Sequence, residues 1–292
     1  MRADLHIHSS FSDAGPDWDY AKIVAEAILN EVDLIAVTDH DVVTNVKCLH
    51  ECCNNTDISF LSGVEFSASL NGNLFHILGY GFDWLNDSIN ELMQNNLSLE
   101  AENNKLKDDT CIKLLIQAGF SIDWDEYSLF KGGAEALPGM QFGSKAHSFL
   151  IHKGICRDRK DFFERIHPLM ANQLPGIPVF PHPNRVIEAL KSAGGVSVLA
   201  HPVHRLNRLT LQETLDLFTV MSIEGIECFR PDYDTDITKS CLRWCFEHNL
   251  IITGGSDCHG SRMKDRKIGM PKITTDELML GMLTKKIVYP SK

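Results

Sequence analysis

The sequence lacks the regular cysteine spacing of disulfide-rich or zinc-binding proteins, although it contains nine cysteines in all. Their spacing is irregular, Cys52 and Cys53 are adjacent, and no Cys-x-x-Cys pair occurs. An odd number of irregularly spaced cysteines argues against a disulfide framework and against a zinc site built from thiolates. We therefore expect an intracellular protein whose thiols stay reduced.

Long apolar runs are also missing. No stretch approaches the roughly 18 consecutive apolar residues that a membrane-spanning helix needs. A signal peptide has no room ahead of His6, a candidate ligand that lies five residues after Met1. We expect a cytoplasmic protein that has no membrane as a partner.

Positive charge is scarce, because 28 lysines and arginines stand against 39 acidic residues and give a formal net charge of −11. Such a chain does not offer the basic face that duplex DNA requires. Two or three divalent cations would cancel about half of this charge and would supply a local positive field for a small anionic substrate. The 292 residues, 43% of them hydrophobic, are enough for a sizeable core.

What the sequence does contain is a set of short, widely separated clusters of histidine with aspartate or glutamate. Most of them follow an apolar, β-branched run, at the point where a strand would end. The chain has 13 histidines, and chance would not place so many of them beside a carboxylate at such positions. The candidate ligands in these clusters are His6, His8, Asp13, His40, Glu65, His76, His201, Asp257 and His259.

Strand geometry brings some of these residues together. Side chains two positions apart point to the same face of a strand, so His6 lies beside His8 and Asp257 beside His259. Imidazole nitrogens and carboxylate oxygens without thiolates suit Zn, Mn or Fe. A lone histidine is usually an ordinary hydrogen-bonded residue, but the whole set predicts a site for several metal ions. His76 fits the pattern least well, because it lies inside an apolar run.

Strand-like and helical runs alternate along the chain, which is typical of a parallel α/β sheet covered by helices. The predicted strands are 3–8, 34–38, 60–69, 74–80, 196–200, 225–229 and 250–254. The strands 60–69 and 74–80 flank Asn71-Gly72-Asn73 and predict a hairpin. In α/β barrels the loops at the carboxyl ends of the strands gather at one face, where distant residues meet.

The alternation breaks off in the middle of the chain. A polar helical stretch over 88–118, a glycine-rich segment and a proline-rich segment near 175–183 replace it. We predict a barrel domain formed by residues 1–83 and 184–292, with residues 84–183 as an inserted helical subdomain.

Taken in order, the clusters resemble those of the polymerase-and-histidinol-phosphatase (PHP) family of metal-dependent phosphoesterases. They read DLHIHSSFSD, TDHD, GVEFS, a later histidine, AHP and GSDCHG, from Asp4 to about His259. The resemblance implies an α/β fold, namely a distorted (β/α)7 barrel of PHP type with an inserted, mainly helical subdomain. It also implies two or three divalent metal ions (Mn, Zn or Fe) as cofactors.

The resemblance further implies how the ligands divide among the metals. One metal would be held by His6, His8, Asp257 and a bridging Glu65, a second by Asp13, His40 and His259, and a third by Glu65, His76 and His201. Asp4 and Asp39 are expected to orient ligand histidines without binding a metal, as carboxylates beside metal-bound imidazoles often do. The alternative for both is an ordinary aspartate at a strand end.

Substrate contacts are suggested by Ser144-Lys145-Ala146-His147, which resembles a Ser-Arg-x-His stretch in the insert of nucleotide-processing relatives. Lys145 replaces the arginine, so a two-pronged phosphate contact would become a point charge. The alternative is a helix that begins behind a capping Ser144. Arg205 and Arg230 follow predicted strand ends and are either further phosphate contacts or surface cations.

The activity implied by the resemblance is hydrolysis of a phosphate ester by a metal-activated hydroxide. The proton for the leaving group would come from a metal-bound water or from His147. The expected partner is a small phosphorylated substrate: a nucleotide such as a 3′,5′-bisphosphate, or the 5′ end of a short oligoribonucleotide. The alternatives are a phosphatase for histidinol phosphate or another small molecule, a carbon-nitrogen hydrolase of the amidohydrolase type, and a noncatalytic metal-binding module.

Overall fold

The computed structural model describes residues 1–132, 145–203, 208–263 and 265–291. Within these residues one eight-stranded sheet has the strand order β7-β6-β5-β4-β3-β2-β1-β8. The strands are β1 (Arg2–Ile7), β2 (Leu34–Val37), β3 (Ser59–Leu70), β4 (Asn73–Tyr80), β5 (Val196–Leu199), β6 (Gly225–Phe229), β7 (Ile251–Gly254) and β8 (Ile273–Thr274). Most neighbours are parallel, but β4 is antiparallel to both β3 and β5, and β8 is antiparallel to β1.

The sheet nearly closes into a barrel. Beyond the end of β7, the Asp257 backbone N–H donates to the His6 carbonyl over 2.8 Å, and the His8 N–H donates to the Cys258 carbonyl over 3.0 Å. The Tyr80 hydroxyl on β4 donates to the Leu5 carbonyl on β1 over 2.6 Å, although β1 and β4 are not neighbours in the sheet. The first two bonds join the segment after β7 to β1 and the residue that follows it, near the opposite end of the strand order, and the Tyr80 bond links two strands that are not neighbours. Together they confirm the predicted distorted barrel.

The described helices are α1 (Tyr20–Leu29), α2 (Val46–Cys53), α3 (Asp87–Gln117), α4 (Trp124–Leu129), α5 (Lys145–His152), α6 (Arg159–Asp161), α7 (Pro183–Ser192), α8 (Leu211–Val220) and α9 (Thr235–His248). Short 3₁₀ or π turns follow at Phe162–Ile166, His167–Leu169, Ala171–Gln173, Gly260–Arg262 and Gly281–Lys286. Local chemistry sets several boundaries. The Asp19 side chain accepts from the Lys22 N–H and begins α1, and Thr210 and Glu213 form a capping box at the start of α8.

The chain divides into two compact units. The first comprises Met1–Asn96 and Val179–Lys292 and contains the sheet; the second is Leu97–Pro178. The second unit has its own apolar cluster, which includes Tyr127, Phe149 and Phe162. None of the described helices is both long enough and apolar enough to cross a membrane.

The structure corrects some of the predicted elements. Apart from the predicted hairpin, the alternating pattern predicted parallel neighbours, but the register Ile77↔Leu199 makes β4 antiparallel to β5 as well. The hairpin between β3 and β4 is confirmed: Asn71 (φ +51°) and Gly72 (φ +77°) adopt the left-handed conformation that two-residue hairpin turns favour. Helix α2 and strand β8 were missed. The Asn45 side chain, which accepts from the Cys48 N–H, was the available signal for α2.

Gly255 permits the close approach of the segment after β7 to β1. A Cβ added there would lie 2.4 Å from the His6 nitrogen and 2.6 Å from the His6 Cβ. Both distances are shorter than van der Waals contact allows, so the two segments would have to separate. A glycine at this position therefore keeps His6 and Asp257 near each other.

We expect Gly255→Ala to lower the free energy of unfolding by about 1–3 kcal/mol, as overpacking of a dense core does. Chemical denaturation measures this change. Gly176→Ala is the matched control, because a Cβ at Gly176 meets nothing within 4 Å. Equal stability of the two variants would contradict the argument.

Candidate metal centre

The residues of the predicted centre come from the ends of different strands. His6 is on β1 and His8 directly follows that strand; His40 follows β2, His201 follows β5, and Asp257 follows β7. Glu65 and His76 are exceptions, because both lie within strands, on β3 and β4. His76 pairs with Ser67 in the β3–β4 register, and this antiparallel pairing brings it to the same cluster.

Glu65 lies at the middle of the cluster with its side chain fully buried. Its Oε2 atom is 3.3 Å from His6 Nε2, 3.2 Å from His8 Nε2 and 3.2 Å from His40 Nδ1. Its Oε1 atom is 3.1 Å from His76 Nδ1 and 2.8 Å from His201 Nε2. One carboxylate therefore faces five imidazoles.

Two further carboxylates complete the cluster. Asp257 Oδ1 is 3.0 Å from His8 Nε2 and 3.3 Å from His6 Nε2. Asp13 Oδ1 is 3.3 Å from His259 Nε2, and His259 Nδ1 is 3.5 Å from Asp257 Oδ1. All nine predicted ligands therefore lie in one connected set of close contacts.

Three groups in this set have ligand atoms that all lie within 4.8 Å of one another: His6, His8, Glu65 and Asp257; His8, Asp13, His40 and His259; and His40, Glu65 and His76. The first group has the same members as the predicted first metal site. The second contains His8 in addition to the predicted residues. The third has His40 where His201 was predicted, although His201 Nε2 is only 3.3 Å from His76 Nδ1. The division of ligands among the metals stays a prediction.

Several ligand atoms in the cluster lack the hydrogen bonds that buried polar atoms need, and a metal ion could bind them instead. Glu65 Oε2, His40 Nδ1 and Asp13 Oδ1 are buried and make no hydrogen bond. A buried polar atom without a partner is costly, and metal coordination would satisfy all three. The donor set, nitrogen and oxygen without sulfur, fits a divalent Zn, Mn or Fe ion.

Charges within the cluster separate the pKa values of its members. Burial alone raises the pKa of Glu65, but the surrounding imidazoles, His6 above all, hold that pKa well below its ordinary value. Burial lowers the pKa of His40 to about 3, so its ring is neutral. For His8, burial also lowers the pKa, but hydrogen bonds and charges from Asp257 and Glu65 outweigh it and raise the pKa to about 10. The carboxylate is thus ionised, and His40 is already in the form that binds a metal.

The backbone at the centre is strained at positions that are not glycine. Asp41 and Asp257 have φ near +50°, and His201 has φ +25°. Such conformations cost of order 1–3 kcal/mol each and persist only where the surroundings impose them. Here the surroundings are hydrogen bonds from the Asp41 N–H to the Glu65 carbonyl and from the Asp257 N–H to the His6 carbonyl.

Asp4 and Asp39 were expected to orient ligand histidines, but neither contacts a histidine ring directly in the structure. Asp4 accepts the backbone N–H groups of Ser256 and Gly269 and orients no histidine ring directly. The Asp39 carboxylate accepts hydrogen bonds from the Ser9 backbone N–H, the Ser9 hydroxyl and the Ser12 hydroxyl. Ser12 Oγ in turn lies 3.5 Å from His8 Nδ1. Asp39 therefore reaches a ligand only through a serine.

The carboxylate that does orient a ligand ring was missed. Glu227 Oε1 is 2.8 Å from His6 Nδ1, and Glu227 is fully buried on β6. The available signal was an acidic residue inside the otherwise apolar stretch Gly225-Ile-Glu-Cys-Phe229, since a carboxylate there is seldom buried without a partner.

The predicted substrate contacts are less well supported. Ser144 and Arg205 lie outside the described residues. Lys145 begins α5, where its backbone N–H donates to Asp108, and its Nζ lies 4.5 Å from the centre of the Tyr127 ring. His147 is buried on the same helix, 5.9 Å from the Phe162 ring between centroids.

Arg230 differs from both alternatives considered for it. It is only 5% exposed and is therefore not a surface cation. Its guanidinium group pairs with Asp232, Asp257 and Glu227. The protein's own carboxylates thus occupy the groups that were expected to hold a phosphate, and the phosphate contact stays a prediction without structural support.

The chain belongs to the PHP domain family, which matches residues 4–175, more than half of its length. The resemblance seen in the sequence is thereby confirmed. The family comprises metal-dependent phosphoesterases, and the clustered histidines and carboxylates are the part of this chain that suits such an enzyme.

Three named relatives each align with about nine-tenths of the chain. They are a phosphoribosyl 1,2-cyclic phosphate 1,2-diphosphodiesterase of Eggerthella lenta (23% identical; 89% of this chain, 95% of the relative), a 5′-3′ exoribonuclease of Haemophilus influenzae (25%; 88% and 89%), and a 3′,5′-nucleoside bisphosphate phosphatase of Chromobacterium violaceum (26%; 91% and 90%). Among solved structures, a Bifidobacterium adolescentis protein described as a metal-dependent phosphoesterase aligns with a TM-score of 0.71 at 24% identity, over 97% of this chain and 94% of its own. At this identity the structural match bears on the fold alone.

We expect Glu65→Gln to reduce the bound metal content in two groups at once, because Glu65 belongs to two of the three candidate groups. Elemental analysis of protein reconstituted with Mn and then desalted measures the content. Glu188→Gln is the matched control, since Glu188 is exposed on α7. An unchanged metal content in Glu65→Gln would contradict the shared role.

Metal binding is expected to release protons at pH 7. With a pKa of about 10 in the metal-free protein, His8 is protonated at that pH and must lose its proton to coordinate a cation. The binding enthalpy measured by calorimetry should therefore change between buffers of different ionisation enthalpy, and the affinity should rise with pH. A binding enthalpy that is independent of the buffer would rule this out.

Proposed function

We propose that this protein hydrolyses phosphate esters of nucleotides with divalent metal ions held by the cluster around Glu65. The observation that carries the proposal is the burial of one carboxylate among five imidazoles, with three ligand atoms that make no hydrogen bond. The most suitable substrates are 3′,5′-bisphosphate nucleotides or the 5′ ends of short oligoribonucleotides.

The relatives support this choice of substrate class. One is named for removing phosphate from 3′,5′-nucleoside bisphosphates, one for degrading RNA from the 5′ end, and one for opening a cyclic phosphate on phosphoribose. All three names describe cleavage of a phosphate ester on a ribose-containing molecule. The sequence identity with each relative is at most 26% over the aligned residues, so the particular phosphate ester that this protein cleaves is a proposal.

The chain's own residues would prepare the site in two ways. Ionised Glu65 and Asp257 supply negative charge that attracts cations, and neutral His40 offers a free nitrogen lone pair. The barrel strands fix these groups before any substrate arrives, which avoids reorganisation during the reaction. Bound metal ions would lower the pKa of water and neutralise charge on the phosphoryl oxygens. Mn, Zn and Fe all suit this donor set.

A substrate panel tests the proposal. We expect Mn-loaded protein to release phosphate from adenosine 3′,5′-bisphosphate with a higher kcat/KM than from histidinol phosphate. The panel also includes a 5′-phosphorylated trinucleotide of RNA, a phosphoribosyl 1,2-cyclic phosphate and an N-acyl amino acid. Protein treated with a chelator serves as the matched control for every substrate.

The outcomes separate the alternatives. A preference for histidinol phosphate would reject the nucleotide assignment, and hydrolysis of the N-acyl amino acid alone would indicate a carbon-nitrogen hydrolase. Metal-loaded protein that cleaves no member of the panel would favour a noncatalytic metal-binding module.

His147 is proposed as the source of the leaving-group proton. If it is, His147→Gln lowers kcat about 10²–10⁴-fold, the range typical of a lost general acid. The loss should be smaller for a nitrophenyl ester, whose leaving group needs no proton. His152→Gln is the matched control because His152 is exposed on the same helix. An equal loss for both esters would contradict proton transfer.

A further inference from the structure

A buried pair of charged residues lies behind the metal ligands. Glu227 is on β6 and Arg230 follows that strand; their relative exposures are 0% and 5%. Arg230 Nη1 lies 3.4 Å from Glu227 Oε2. Neither residue belongs to a candidate ligand group, yet burying two charges this deeply is costly unless other partners satisfy them. The contacts of each residue show what those partners are.

Glu227 contacts two ligand residues at once. Its Oε1 is 2.8 Å from His6 Nδ1, and its Oε2 accepts the backbone N–H of His201 over 2.9 Å. An ionised carboxylate is only an acceptor, so His6 must carry its proton on Nδ1. His6 Nε2 is then the nitrogen that would give its lone pair to a metal ion, and this is the atom that faces Glu65 and Asp257 at 3.3 Å each.

Arg230 acts on the third ligand, Asp257. Its Nη1 donates to Asp257 Oδ2 over 3.0 Å, and the Arg266 guanidinium group donates to the same oxygen. Both arginines also bind Asp232, which holds them in place. With Oδ2 occupied on this side, Oδ1 is the oxygen that faces His6 and His8.

We propose that Glu227 and Arg230 form a positioning pair that selects which atoms of His6 and Asp257 bind metal and fixes the strained backbone at His201. This rests on the proposed function only in requiring that the cluster holds divalent metal ions. The pair adds no net charge to the site, so it orients ligands without competing with them for the metal. Arg230 thus acts through Asp257 and does not contact the substrate.

A metal-affinity measurement separates this role from a purely structural one. We expect Glu227→Ala and Arg230→Met to weaken Mn binding about 10–100-fold, as loss of a group that orients a ligand does. Glu227→Gln, which keeps an acceptor oxygen, and Arg230→Lys, which keeps the charge, should recover part of the affinity. Competition with a chromogenic chelator gives the dissociation constants without any substrate.

The matched control is Arg2→Gln. The Arg2 side chain donates to the Asn30 and Gly269 carbonyls, so this variant breaks structural hydrogen bonds and touches no candidate ligand. It should lower the Tm and leave the Mn dissociation constant unchanged. The proposal would be overturned if folded Glu227→Gln and Arg230→Lys bound Mn with wild-type affinity and the other variants did so as well. Of Glu227→Ala and Arg230→Met, any variant that folds is included in this comparison.

Two further measurements test the mechanism of the pair. In ¹⁵N-detected spectra of Zn-loaded protein, the His6 ring should keep its proton on Nδ1 and bind the metal through Nε2 in the wild type, and should lose this preference in Glu227→Ala; an unchanged tautomer would overturn the role of Glu227. For Arg230→Lys, excess Mn should restore kcat at an unchanged KM. A raised KM at saturating Mn would return Arg230 to substrate binding. If the wild type binds Mn but cleaves no phosphate ester, the proposed function fails while the affinity and tautomer results still decide the inference.

Discussion

The structure depends on the buried carboxylate of Glu65. Five imidazoles approach its two oxygens within 3.3 Å, and they come from positions between His6 and His201. An ionised group in a low-dielectric interior is costly unless hydrogen-bond donors, positive charge or a metal ion lie close to it. The strands therefore have to end where their histidines meet Glu65, and this requirement explains the tight approach at Gly255 and the left-handed backbone at His201 and Asp257.

Stability and chemistry conflict at this end of the barrel. Apolar clusters made of strand and helix residues supply the favourable burial, whereas the centre concentrates costly polar atoms and strained backbone. Metal binding would relieve part of that cost, because a ligand that binds only the folded state stabilises it by mass action. The apolar core alone then stabilises the metal-free protein, whereas the core and the bound metal ions together stabilise the metal-loaded protein.

Much of the fold and of the cluster could be predicted, because strand ends and the two-residue alternation act locally and are visible in the residues themselves. His6, His8 and Asp257 are examples. Glu227 could not be assigned its partner, since its contact with His6 joins residues 221 positions apart. Arg230 was predicted to be a phosphate contact or a surface cation, because the sequence does not reveal that Asp257 lies 3.0 Å away. The turn residues Asn71 and Gly72 revealed that β4 runs antiparallel to β3, but the antiparallel pairing of β4 with β5 was inaccessible, because these strands are about 120 residues apart and apolar periodicity does not give strand direction.

The separation of the ligands along the chain has a consequence for biosynthesis. His8 and Asp257 are 249 positions apart, so the polypeptide must emerge from the ribosome through His259 before the cluster can close. Until then the early histidines and Glu65 lack the partners that set their final geometry, and long-range contacts of this kind form slowly. Complete metal loading is therefore a late event, because two of the three candidate groups include Asp257 or His259.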